Sequence, residues 1–309
     1  MKHGIGLQSS IWNNNLKSTF LLVSFPLVIL LMVWIVFFAL FLEAGHDGQL
    51  LWSLSASAAN AAIFKWWWIV FSVVGIWFVI AWFSHQQIIN KETKARPMTR
   101  KESPEVYNLL ENLCISRGLT MPKLFIIESE VLNAYASGIN EKTYAITLTK
   151  GLIETLDRDE LEAVIAHELA HIINRDVRLL IISIIFVGII SVLSEMMVRG
   201  VFRSDSGGKG KLIGIIIVIL IAGVGYFLSI MIRFSLSRKR EYLADAGAVK
   251  LTKNSEPLIS ALQKISGNSN LENVDCDVKQ MMFDNQKSFL GMFATHPPIE
   301  SRIKVLSNY

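Results

Sequence analysis

The sequence predicts a mainly α-helical integral membrane protein with a small β-sheet, about four transmembrane helices, and a water-facing part divided between the middle and the end of the chain. Three observations predict it. The chain of 309 residues is 52% hydrophobic and only 18% charged, with a mean hydropathy of +0.42, which is too apolar for an ordinary soluble domain. The apolar residues are gathered into long uncharged runs. Outside those runs the pattern changes to the helical and alternating periodicities of a soluble fold.

Residues 1–19 are polar and weakly basic and read as a cytoplasmic N-terminal segment. Residues 20–84 hold two spans and their connection. Phe20–Leu42 and Trp66–Phe83 carry no charge and come near the ~20 residues that a helix needs to cross the hydrocarbon core. Pro26 is tolerable in such a helix. Lys2 and Lys17 resemble the basic start of a signal peptide, and "ASA" at Ala56–Ala58 resembles a cleavage site. The first run is too long for a signal sequence and "ASA" lies well past its end, so it is read as a retained span. "KWWW" at residues 65–68 reads as an interfacial anchor. Residues 85–101 follow with Lys91, Lys94, Arg96, Arg100 and Lys101 against a single Glu92. The positive-inside rule therefore puts this segment and the N-terminus in the cytoplasm.

Residues 85–176 are the first part of the soluble domain, compact from residue 102. "SPEVYNLLENLCISRG" reads as a helix capped by Ser103, with Pro104 at its first position and Gly118 as its stop. "KLFIIES" is a strand, and a hairpin pairs strands near Asn133–Ala136 and Tyr144–Thr149. Asp157 and Glu160 form a capping-box pair before a helix with an apolar stripe of Leu161, Val164, Ile165, Leu169 and Ile172. Residues 177–232 hold the third and fourth membrane segments, Leu179–Ser194 and Leu212–Ile232. The first of these is short for a span. Their connection carries Arg199, Arg203, Lys209 and Lys211, which the positive-inside rule disfavours outside. A hairpin that does not fully cross would relieve the conflict, and two spans are the preferred reading. Residues 233–309 are the second soluble part, helical with a loop near 266–280. Cys114 and Cys276 lie in no motif and read as free thiols. The net charge of +4 is modest, and the basic residues cluster beside membrane segments, which points to lipid headgroups and not to nucleic acid.

The chemistry is concentrated in "AVIAHELAHIINRD", residues 163–176. Residues i and i+4 share one face of a helix, so His167 and His171 can turn imidazole nitrogens toward one ion, and Glu168 can reach a water on it. The competing reading is a surface helix with two solvated histidines. A catalytic zinc wants a third protein ligand. The metzincin continuation, with its glycine and third histidine, is absent. "SRKREYLADAGAV" offers Glu241 on a predicted helix, with Asp245 one turn on, placed to accept the second ring N–H of a ligand histidine.

With "LNAYASG", "AITLTKGL", "LEAVIAHELAHIINRD", "REYLADAGAV" and "THPPIESRI" in this order, the sequence resembles the HtpX-like membrane zinc metallopeptidases over roughly residues 95–309. The resemblance implies a cytoplasmic gluzincin-type zinc peptidase domain. In it His167, His171 and Glu241 bind one zinc ion per chain and Glu168 is the general base. It further implies that Asn133 and Ala134 lie on an edge strand that holds substrate backbone, with Tyr135 where the family has phenylalanine. His296 and Arg302 would face the reacting carbonyl. Substrates would be misfolded or damaged membrane proteins, met at the bacterial inner membrane.

Topology offers an independent check. His167 and Glu241 can meet only if residues 177–232 cross the membrane an even number of times. His171 would stand about 12 Å and Glu241 about 14 Å from the apolar runs, at helical rise. Two rivals keep zinc: a prenyl-protein (CAAX-type) endoprotease, which encloses its site with more spans, and a zinc-binding sensor or scaffold, which has no need of Glu168. A transporter would place ionisable residues in the runs, and they contain none.

Overall fold

The computed structural model describes residues 7–43, 50–182, 239–266 and 297–309, together with single positions at 185, 195, 199, 219 and 223. Most of the third and fourth apolar runs, their connection, nearly all of the 266–280 stretch, Cys276 and His296 lie outside the described residues. The architecture is mainly helical with a small mixed sheet.

Among the described residues, two helices are long and apolar enough to cross a membrane, α1 (Leu7–Glu43) and α2 (Leu50–Thr93). Their apolar segments have mean hydropathies of 2.4 and 1.9. The described residues fall into two compact units. One takes residues 19–43 and 50–83; the other takes 7–18, 84–182, 239–266 and 297–309 and contains the candidate site. Within the first unit, Trp34 Nε1 donates to Asn60 Oδ1 at 2.8 Å, joining α1 to α2.

In the second unit the sheet runs in the order β1 (Arg96–Pro97), β2 (Lys123–Ile127), β4 (Ala145–Thr149), β3 (Ala134–Ser137). β3 and β4 form the hairpin, and β4 lies parallel to β2. Apart from the exposed Lys123 that opens β2, both inner strands are buried along their length and mostly apolar, as strands covered on two faces are. β1 differs from the expectation of a purely basic juxtamembrane stretch. Arg96 and Pro97 pair antiparallel with β2, and the Arg96 guanidinium bridges Glu102 and Glu128. At the other edge, Ser137 Oγ donates to Gln86 Oε1 at 2.9 Å, and the Tyr135 hydroxyl shares a 2.9 Å hydrogen bond with Thr93 Oγ1. The end of α2 thus holds β3 in place.

Helix α3 (Pro104–Ile115) has Ser103 at its N-cap and Pro104 in its first turn, although the serine side chain makes no capping bond. After α4 (Lys150–Thr155), the central helix α5 (Arg158–Ile173) begins with a full capping box. Asp157 accepts from the amides of Asp159 and Glu160, and Glu160 accepts from the amide of Asp157 at 2.9 Å. Glu160 also accepts from Ser260 Oγ and Lys264 Nζ, both at 2.6 Å, which pins α7 (Glu256–Ile265) to the start of α5. A single apolar stripe on α5 is too narrow a description. Every residue from Ala163 to Ala170 is buried, because α5 packs on β3, α3, α7 and α6 (Lys239–Thr252) together. Helix α8 (Ile299–Leu306) closes on α6 and α7.

Candidate metal centre

The middle of α5 and the first turns of α6 meet face to face. Gly247 makes this approach possible: a Cβ there would lie 2.8 Å from Ala170 Cβ. His167 is fully buried and Glu168 is 2% exposed, which removes the alternative of a surface helix with solvated histidines. The two Nε2 atoms are 3.1 Å apart. Glu241, 1% exposed, presents Oε2 at 3.6 Å from His167 Nε2 and Oε1 at 3.7 Å from His171 Nε2. Ligand atoms of His167, His171 and Glu241 all fall within 4.8 Å of one another. Donors around a tetrahedral zinc with bonds of roughly 2.1 Å stand about 3.4 Å apart, so the spacing fits such an ion.

Proton accounting makes the same point. His167 Nδ1 lies 3.0 Å from Asp245 Oδ1 and His171 Nδ1 lies 3.1 Å from Asp176 Oδ2. Burial raises the Asp245 pKa, but the Arg302 charge and the His167 contact outweigh it and hold the carboxyl below its ordinary value. Asp245 is therefore an acceptor, and each Nδ1 lies within hydrogen-bond distance of a carboxylate. The two Nε2 atoms and the Glu241 carboxylate converge on one small buried space, an arrangement that suits a cation at its centre. The pocket draws positive charge accordingly. Burial disfavours protonation of His171, yet Glu241 and Asp176 outweigh it and push its pKa up to about 10. A proton and a divalent cation compete for the same place.

Arg302 is 1% exposed and grips Asp245 side-on, with Nη2 2.7 Å from Oδ1 and Nε 3.0 Å from Oδ2. Its Nη2 lies 3.5 Å from His167 Nδ1, on the side of the ring away from Nε2. The sequence reading aims Arg302 at a reacting carbonyl; in the fold its guanidinium holds the carboxylate that orients His167. Burial opposes its charge, and Asp245, Glu241 and Glu168 outweigh that effect and keep it protonated, so the Glu168 carboxylate belongs to the same charged group. Asn133 is buried beside β3, and its Oδ1 accepts from the amide of Ala134 at 2.9 Å.

Asp176 is the residue that the sequence reading passed over. In a continuous helix it would sit about 140° around the axis from His171. The chain breaks instead: α5 ends at Ile173, Arg175 takes φ 59°, and a new helical stretch starts at residue 176. That turn swings Asp176 back to His171. The only sequence signal is a carboxylate closing the motif "HIINRD".

A model of peptidase family M48 matches residues 100–309. The chain belongs to peptidase family M48. Within M48 it is 44% identical over 320 aligned positions to a protease HtpX homolog of Bacteroides fragilis, covering 99% of both chains. Protease HtpX homologs of Listeria monocytogenes and Listeria innocua are 37% and 36% identical over 78% and 77% of this chain and 86% and 84% of theirs. Among solved structures, S. mikatae Ste24p superposes with a TM-score of 0.47 at 22% identity, over 77% of this chain and 57% of that one. This M48 chain is an HtpX-like metallopeptidase, a membrane zinc protease acting on proteins. M48 peptidases are in general zinc-dependent, and the donor set described above suits that metal.

Proposed function

We propose that the chain is a zinc endopeptidase that cuts misfolded or damaged membrane proteins at the cytoplasmic face of a bacterial inner membrane. The observation that carries the reading is the convergence of two imidazole Nε2 atoms and one carboxylate in a buried pocket with Glu168 beside it. His167, His171 and Glu241 hold one zinc ion per chain. A zinc ion bound there would supply Lewis acidity, polarising the scissile carbonyl and making a water easier to deprotonate. Glu168 takes the proton of that water and returns it to the leaving amine. Asp245, fixed by Arg302, keeps His167 in the Nδ1–H tautomer, and Asp176 does the same for His171. Asn133 and Ala134 offer edge-strand backbone to an extended substrate. His296, named from the family resemblance, is proposed as a further group at the reacting carbonyl.

The sequence supports four spans. Residues 20–84 supply the first two and 177–232 the last two. Residues 1–19 stay in the cytoplasm, and 85–176 with 233–309 build the peptidase domain there. An even number of crossings between His171 and Glu241 is what their shared site demands.

The deciding experiment compares detergent-solubilised wild type with Glu168→Ala, both zinc-replete. We expect one zinc in each and cleavage of an unfolded protein substrate by the wild type alone, with a loss of roughly 10²–10⁴-fold or more in the variant. A wild type without zinc, or a variant that cleaves equally well, overturns the reading. Zinc in both with cleavage in neither marks a sensor instead.

A further inference from the structure

A cavity of about 740 Å³ opens beside the C-terminal end of α5, and His167, His171 and Glu241 are not among its lining residues. Its lining includes apolar side chains such as Ile139, Leu169 and Ile172, together with Lys142, Tyr144, Arg175 and Arg178. Glu141 is the one acid among its lining residues, against three cations. The guanidiniums are only partly engaged. Arg175 Nη1 donates to Asn15 Oδ1 at 3.2 Å, while the buried Nε of Arg178 has no hydrogen-bond partner among the described residues. Tyr144 senses both arginines: burial raises its pKa, and the charges of Arg175 and Arg178 pull the other way. A hydroxyl and two guanidiniums therefore converge on one space with a surplus of positive charge. A group with several negative oxygens, a phosphate, matches this set of donors.

Position selects among phosphates. Arg178 immediately precedes Leu179, the first residue of the third apolar run. Cationic side chains at such a boundary stand at the level of lipid headgroups, where anionic lipids concentrate. The apolar lining, which a free phosphate ion would not use, suits the glycerol and first acyl carbons of a lipid.

We propose that this pocket binds the headgroup phosphate of an anionic phospholipid. Bound there, the lipid would touch Arg175, whose left-handed turn delivers Asp176 to His171, so the site sits at the root of the metal helix.

The test uses the full chain, released from nanodiscs of mixed phosphatidylglycerol and phosphatidylcholine, with retained lipids identified by native mass spectrometry. The wild type should retain phosphatidylglycerol in preference to phosphatidylcholine by on the order of ten-fold or more. Arg178→Gln combined with Lys142→Gln should bring that preference near parity while melting temperature and zinc content hold. Lys304→Gln, an exposed change on α8, should leave it intact. If the double variant does not fold, the exposed Lys142→Gln alone carries the test, with an expected fall of about five-fold. Parity in the wild type, or an unchanged preference in the variant that folds, overturns the proposal. Displacement of the lipid by millimolar inorganic phosphate assigns the pocket to free phosphate and also overturns it.

Discussion

Each imidazole has a carboxylate at hydrogen-bond distance from its Nδ1 and turns its Nε2 toward the other ring, and this makes Asp176 and Asp245 as consequential as the proposed ligands beside them. Asp176→Ala frees the His171 ring to change tautomer and rotate. Zinc affinity, measured by chelator competition, should fall about 10–100-fold. Asp176→Asn keeps an acceptor for Nδ1–H and should recover part of the loss, which a purely structural role for Asp176 would not produce. The backbone cost of delivering Asp176 is a non-glycine residue in left-handed geometry, about 1–2 kcal/mol at Arg175. Cys114 shows the same logic without function. Burial, with Glu111 nearby, pushes its thiol up to about 11. Thiolate is then scarce at neutral and mildly alkaline pH and grows only as pH approaches that value. In a Cys276→Ser background, alkylation near pH 8.5 should run roughly a hundred-fold slower than for a free cysteine, and should reach the ordinary rate on denaturation.

At the scale of elements, the contact of α5 with α6 decides whether a ligand set exists. Three residues that a stripe model leaves unexplained, Ala163, Ala166 and Ala170, are small because α5 is packed on every side. Gly247 faces Ala170 at a distance that no Cβ can occupy without moving a helix. Gly247→Val should push α6 away from α5 and displace Glu241 and Asp245 together. Zinc content should drop sharply and the melting temperature should fall, by an overpacking cost of about 1–3 kcal/mol. Gly247→Ala sets a gain in helix propensity of about 1 kcal/mol against the same clash, so it should retain the fold and lose zinc affinity.

At the scale of the whole chain, the proposed zinc ligands come from segments on either side of residues 177–232. With Cys114 and Cys276 replaced by serine, single cysteines can report the topology. Lys101→Cys and Lys250→Cys should react with an impermeant thiol reagent only in inverted vesicles. Asp47→Cys and Ser206→Cys should react only from the opposite side. If position 206 is protected from that side while 47 reacts, residues 177–232 form a hairpin that does not cross, and the chain has two full spans.

Much of this protein is legible along the chain because the governing physics is local. The uncharged runs, the capping box at Asp157 and Glu160, the hairpin of β3 and β4, and the i, i+4 pairing of His167 with His171 depend on neighbours within a few residues. Glu241 and Asp245 were nameable as carboxylates one turn apart, but their approach to His167 rests on helix packing across a sequence gap of more than seventy residues. The break at Arg175, the return of Asp176, and the engagement of Arg302 with Asp245 left no periodic trace. Each follows from where the packed core forces the chain to turn and which buried charge then finds its opposite, and those are properties of a folded interior.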